Sequence, residues 1–239
     1  MLGVLVNCGA VVLGSIIGLL FAKKFTEELT DMIMTGCGVV TCVIGLQMAL
    51  NYDNIVYMAL SLIFGAIIGY ILDIDSFVLK IGYKLEKLTK KSDTPSSSKS
   101  NFAYAFLNSS VLFCTGAMGI IGSFEAGAKG QYTTLFTKSI LDGFISIGYA
   151  SAMGLGTAFS ALSLLVYQGL LTLLAVWIQP YVSDLLIQEV AAVGGCMIVM
   201  IGLNLLGLKK IKTANFIPGL IIEIIFVICV PLLKGLILR

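Results

Sequence analysis

Histidine is absent from the 239 residues. That removes the usual proton carrier at neutral pH and the commonest metal ligand. Ser-His-Asp hydrolysis and histidine-based metal chemistry are excluded with it. Charge is scarce too: 12% of residues are charged, about half the ~25% of a soluble domain. A net charge of +2 is too small to argue for nucleic acid as a partner. There is no Walker-type loop and no Gly-x-Ser-x-Gly elbow. Lys138 and Ser139 are adjacent, and adjacent helical residues do not face each other, so an intramembrane Ser/Lys dyad is not assembled either. We therefore expect no enzyme, and ATP-driven transport would need a separate subunit. None of the six cysteines (Cys8, Cys37, Cys42, Cys114, Cys196, Cys229) forms a Cys-x-x-Cys pair. All lie in apolar segments and read as small buried hydrophobes.

What is present is apolar: 58% of the chain is hydrophobic, in runs that reach the ~20 residues a spanning helix requires. The expected class is an all-α, polytopic helical membrane protein with lipid as its immediate partner. Spans are expected near Gly3–Phe21, Met32–Leu50, Ile55–Leu72, Phe102–Gly122, Ser139–Gly156, Ala158–Ile178, Leu185–Leu206 and Phe216–Leu236. That makes eight, or seven if the Gly-, Ser- and Thr-rich fourth and fifth are discontinuous or re-entrant. With no basic n-region before it, the first segment is expected to be a retained helix rather than a signal peptide.

Residues 76–100 differ in character. Ser76 is placed to cap a helix. Phe77, Val78, Ile81, Leu85 and Leu88 fall near one face, and Lys80, Lys84, Lys87 and Lys91 towards the other. This reads either as an amphipathic interfacial helix or as a solvated connection, and the stretch from Asp93 to Ser100 has the composition of a flexible linker. With the N-terminus outside, 11 of the 15 basic residues fall inside, which places both termini outside by the positive-inside rule.

The chain also looks duplicated. Ile44-Gly-Leu-Gln47 matches Ile201-Gly-Leu-Asn204, with Gly38 falling on Gly195 at the same offset. Gly65-Ala-Ile-Ile68 matches Gly219-Leu-Ile-Ile222, and Gly18-Leu-Leu20 matches Gly169-Leu-Leu171. Residues 1–75 would then be one repeat and 158–239 the other, flanking core spans in 101–157. Five crossings separate equivalent spans, so the copies would have inverted topology, a feature of secondary transporters. Ala117-Met118-Gly119 and Ala152-Met153-Gly154 would pair across the same axis.

The most informative motif is Lys138-Ser-Ile-Leu-Asp-Gly143. Lipid penalises isolated charge, so Lys138 and Asp142 should face protein or a water-filled cavity. Their four-residue spacing puts both on one helical face, which Ser146 and Tyr149 continue. Asp142 is the candidate to carry a proton or sodium ion, and Lys138 to tune it or hold an anionic solute. The alternative is an ion pair at a helix end, with Lys138 snorkelling outward. Glu125, Ser139, Asn108, Thr115, Gln168 and Asn7 are further candidate substrate- or ion-binding residues. Gly116, Met118, Gly119, Gly122, Gly143, Met153 and Gly154 are candidate hinge or packing positions. Interhelical hydrogen bonding is the alternative for the polar residues, and ordinary close packing for the glycines. Glu223 lies among four isoleucines, falls opposite Gly69 in the internal match, and needs a partner from another helix, water or a proton.

Gly3-Val-Leu-Val-Asn7, Leu13-Gly14 with Gly18, Gly116-Ala-Met118, Gly122-Ser123, the Lys138–Gly143 block and Tyr167-Gln-Gly-Leu-Leu-Thr172 carry a resemblance to the YqgA-like or YdfK-like family of uncharacterised bacterial inner-membrane proteins. It extends over essentially the whole chain, and Glu223 departs from it where a small residue is usual. The resemblance implies the fold and an inner-membrane location, and brings no substrate. The expected function is a secondary transporter for a small polar or anionic solute, coupled to H+ or Na+, with no other cofactor. A channel and a structural or regulatory membrane protein are the alternatives, and a homodimer suits so small a scaffold.

Overall fold

The computed structural model describes residues 1–22, 26–89, 99–114, 117–178 and 182–237. Ten α-helices make up almost all of it: α1 (Leu2–Ala22), α2 (Glu27–Ala49), α3 (Ile55–Leu72), α4 (Ile74–Thr89), α5 (Lys99–Cys114), α6 (Ala117–Phe124), α7 (Thr133–Met153), α8 (Gly156–Ile178), α9 (Asp184–Leu205) and α10 (Ile217–Ile237). A π-helical turn, Glu125–Lys129, follows α6, and a 3-10 turn, Thr213–Phe216, precedes α10.

Local chemistry sets the boundaries. Side-chain oxygens of Thr26, Asn54 and Ser183 accept from backbone N–H groups in the first turns of α2, α3 and α9, which satisfies donors that have no intrahelical partner. Asp73 ends α3 in the left-handed region, at φ 47°, and Gly154 ends α7 at φ 93°, where a side chain would be strained.

Among the described residues, five helices (α1, α2, α3, α8 and α9) are long and apolar enough to cross a membrane. α5 and α6 together form a sixth such segment, with an angle of 60° between the two helices. The fourth expected span is therefore broken. The expected hinge residue Gly116, and Thr115 beside it, lie outside the described residues. The fifth expected span is a continuous helix that begins at Thr133 rather than Ser139. Lys138 consequently stands inside α7 instead of at its start, and at 5% exposure it does not snorkel outward. α7 and α10 have spanning length, 21 residues each, but carry buried ionisable groups.

α4 begins at Ile74, so Ser76 lies within its first turn and is not the cap. Its apolar residues divide between two faces. Val78 and Leu79 pack onto the core, and Gly82 lies against Ala103 of α5. Phe77 and Ile81 are exposed beside Lys80 and Lys84. Leu88, Lys87, Lys91 and most of the expected linker fall outside the described side chains.

The core sits where α1, α5, α7, α8 and α9 converge, around Val11, Leu107, Phe113, Tyr149, Leu164 and Ile201. Glycines let the backbones touch. Gly14 and Gly18 of α1 lie on the carbonyl oxygens of Gly143 and Ile147 of α7, so those helices run parallel. Gly38 and Gly45 of α2 meet Gly202 and Gly195 of α9 in antiparallel register, and Gly65 of α3 meets Gly219 of α10. The cysteines are all free; five are half-buried, and Cys229 is exposed rather than buried.

Candidate functional site

α7 presents Lys138, Ser139, Asp142, Ser146, Tyr149, Ala150 and Ser151 as buried residues, the polar face its spacing predicts. Lys138 Nζ donates to Asp142 Oδ2 at 2.6 Å. Both side chains are almost completely enclosed, where desolvation makes an unpaired charge costly. Asn7 of α1 donates through Nδ2 to the same carboxylate oxygen at 3.1 Å and to Gln168 Oε1 of α8 at 3.2 Å. Three helices thus bring Lys138, Asp142, Asn7 and Gln168 into one network. Asn7 and Gln168 are fully buried.

The network is incomplete. Among the described residues, Asn7 Oδ1 and Gln168 Nε2 are buried without a hydrogen-bond partner, as is Thr172 Oγ1 one turn further along α8. A buried polar group left unpaired costs about 1–3 kcal/mol. Gly119 covers this region: a Cβ there would stand 3.3 Å from Gln168 Nε2 and 3.4 Å from Lys138 Cε. The first turn of α6 therefore lies beside the Gln168 amide and the Lys138 stem.

Other candidates are placed elsewhere. Ser139 Oγ donates to the Leu135 carbonyl of its own helix at 2.6 Å and is satisfied there. Glu125 Oε2 accepts from Thr134 Oγ1 at 2.6 Å. Thr134 is two turns before Asp142, about 12 Å along the axis, so the two carboxylates do not converge. Asn108 is buried on α5. Its neighbours Ser109 and Ser110 bond across to Thr157 and Ser163 of α8, which is the interhelical role. Ser146 bonds to the Gly143 carbonyl, and Tyr149 Oη lies 2.7 Å from Thr41 Oγ1 of α2.

Among the hinge candidates, Gly122 packs on Leu135 and Gly143 on Ala10. Met153 packs against the core, while Met118 is exposed. Gln47 and Asn204, matched by the duplication, do not play matching parts. Gln47 is exposed; Asn204 donates to the Ile211 carbonyl at 2.9 Å and accepts from its N–H at 2.7 Å, pinning the loop before α10.

Glu189 was not legible as a site residue. It stands six residues into α9, 1% exposed, and its Oε1 accepts from the backbone N–H groups of Asp53 and Asn54 at 2.9 and 2.6 Å. An acidic residue near the start of an apolar span was the available signal. The loop that receives it lies 135 residues away in sequence.

Membrane-length helices around a buried, partly unpaired polar network define a polytopic α-helical membrane protein. The chain belongs to the DUF554 family of proteins of unknown function, whose family model matches residues 2–228. It is 35% identical over 234 residues to the uncharacterized membrane protein YdfK of Bacillus subtilis, covering 95% of this chain and 97% of that one. It is 28% identical over 221 residues to the uncharacterized protein YqgA of Escherichia coli, covering 92% and 94% respectively. No solved structure matches it.

Proposed function

We propose that this protein is a small secondary transporter, and not an enzyme, that moves a small polar or anionic solute with H+ or Na+ coupling through Asp142. The observation that carries this reading is the pair of unpartnered atoms at the network, the acceptor Asn7 Oδ1 and the donor Gln168 Nε2. Buried polar groups are ordinarily satisfied, so two orphans of opposite kind beside a charged pair suit a solute with both donors and acceptors. Lys138 and the first turn of α6 favour an anionic or zwitterionic group. Asp142 would bind the coupling ion when Lys138 turns to the solute.

Helix pairing supports the inverted repeat. α2 crosses α9, and α3 crosses α10, through glycines that the duplication relates, with Gly65 on Gly219 and Gly38 and Gly45 on Gly202 and Gly195. That is what a two-fold axis in the membrane plane would produce. In this reading the bent α5–α6 segment and α7 form a moving core in a bacterial inner membrane, with both termini outside and a homodimer as the assembly. A purely structural role is favoured by one feature: Lys138 and Asp142 already neutralise each other at 2.6 Å.

The test is the stability of purified protein across sodium, potassium, pH and a panel of carboxylates, amino acids and inorganic anions, with Asp142→Asn and Gln168→Ala beside wild type. A ligand at 100 times its Kd adds about 2.7 kcal/mol if it binds the folded state alone. A saturable shift in wild type that both variants lose supports transport and leads to flux assays in liposomes. A flat response in wild type, with Asp142→Asn merely less stable, supports the structural role.

A further inference from the structure

α3, α9 and α10 bury a second group of oxygen atoms, separate from the Lys138 network. Glu223 of α10 is 0% exposed, Glu189 of α9 1% and Ser61 of α3 0%. Among the described residues, both carboxyl oxygens of Glu223, Glu189 Oε2 and Ser61 Oγ lack a hydrogen bond of ordinary geometry. Glu189 and Ser61 are nevertheless the polar side chains that face Glu223. Among the described residues, neither carboxyl forms an ion pair. Two adjacent carboxylates buried without a cation cannot both stay ionised, because desolvation and mutual repulsion both oppose charge.

The surroundings distinguish the two carboxyl groups. Glu189 Oε1 accepts two backbone N–H groups at the start of α3, including that of its cap residue Asn54. Those two donors fix Glu189 Oε1 as an acceptor at the positive end of the α3 dipole and leave Oε2 as its free oxygen. Glu223 has no such donors. It lies against Ser61, six residues or about 9 Å inside the start of α3, deeper than Glu189.

We propose that Glu223 is a proton-binding site in its own right, its proton donated to Glu189 Oε2 and exchanged with the side of the membrane on which the exposed Asp53 loop lies. Ser61 donates to the remaining Glu223 oxygen, which would satisfy every orphan atom in the group. From α9 the titratable group facing Glu223 is Glu189, and α3 contributes the Ser61 hydroxyl, which carries no charge. The order from outside inward is the exposed Asp53 loop, Glu189, then Glu223, a proton path with one relay. Because Gly69 stands where the repeat would put a second carboxyl, the site is one-sided. It does not depend on solute movement at Asp142, since proton occupancy is measurable without transport.

The experiment is infrared spectroscopy of the full-length protein carrying 13C-labelled glutamate, with pH raised through the neutral range. The expected result is a label-shifted protonated-carboxyl band that fades as pH rises, is lost in Glu223→Gln, and moves in frequency in Ser61→Ala and Glu189→Gln. Should Glu223→Gln not fold, Glu223→Asp serves equally, because an aspartyl side chain carries no label. A band that survives removal of Glu223, no labelled acid band at any pH, or a Glu223 band indifferent to pH would each overturn the proposal. The last two outcomes indicate, respectively, a cation held by two carboxylates and a permanently protonated structural acid.

Discussion

The backbone of Gly14 rests on the carbonyl oxygen of Gly143, leaving no room for a Cβ between α1 and α7. Alanine is favoured over glycine inside a helix by about 1 kcal/mol, so the sign of a Gly→Ala change reports on packing. Gly14→Ala and Gly18→Ala are expected to destabilise the protein, because the nearest obstructing atom in each case is a backbone carbonyl oxygen. Gly9→Ala, on the same helix with open space around it, is expected to be neutral or to stabilise by up to that amount. Thermal unfolding of the three variants in one detergent checks the contrast.

Lys138 and Asp142 should behave as one unit. Removing either partner leaves a buried charge uncompensated, at a cost of about 3–5 kcal/mol. The double variant Lys138→Met with Asp142→Asn leaves none, so its cost is expected to be well below the sum of the singles. A double-mutant cycle on unfolding free energies measures the difference. Additive costs would show that the two side chains do not depend on each other.

Asp75 gives a pH dependence of definite sign. It is 4% exposed, and burial raises its pKa despite the Ala214 N–H that its carboxylate accepts and the nearby Lys212. The folded state therefore holds the proton to a higher pH than the unfolded chain. Its contribution to stability declines as pH rises from the ordinary carboxylate range, about 4, through the raised folded value. Asp75→Asn, which keeps an acceptor for Ala214, is expected to flatten stability against pH over that window. Asp73 moves the other way, lowered by a hydrogen bond from Ser76 and by Lys212. It is exposed, so Asp73→Asn should scarcely change that profile.

Asn204→Ala is expected to cost about 1–3 kcal/mol, because the variant leaves the Ile211 N–H and carbonyl without their partner. It should also speed hydrogen exchange in the loop before α10. Gln47→Ala, at the exposed position the duplication pairs with Asn204, is expected to do neither.

Much of the architecture was legible because lipid constrains a chain severely. Every backbone polar group in the membrane must bond within its own helix, so long apolar runs translate almost directly into α1, α2, α3, α8 and α9. The Lys138–Asp142 pair was legible for the same reason, since four-residue spacing fixes the face and lipid forbids that face outward. The start of α7 was not, because Thr133 and Thr134 look like loop residues until a helix runs through them. Nor was the split of α4, whose Val78 and Phe77 are equally apolar, and only α5 decides which of them turns inward.

The sequence by itself determined the class of protein, the five long apolar helices, the family and the charged motif, all properties of local composition and helical spacing. Tertiary structure alone decided which polar groups meet. Asn7 reaches Asp142 across 135 residues and Gln168 across 161, and Glu189 reaches the loop before α3 across 135. The physical reason is that a helix fixes the direction of each side chain about its own axis, while its neighbours are set by where glycine lets two backbones approach. That choice belongs to pairs of helices, and no single segment of the chain contains it.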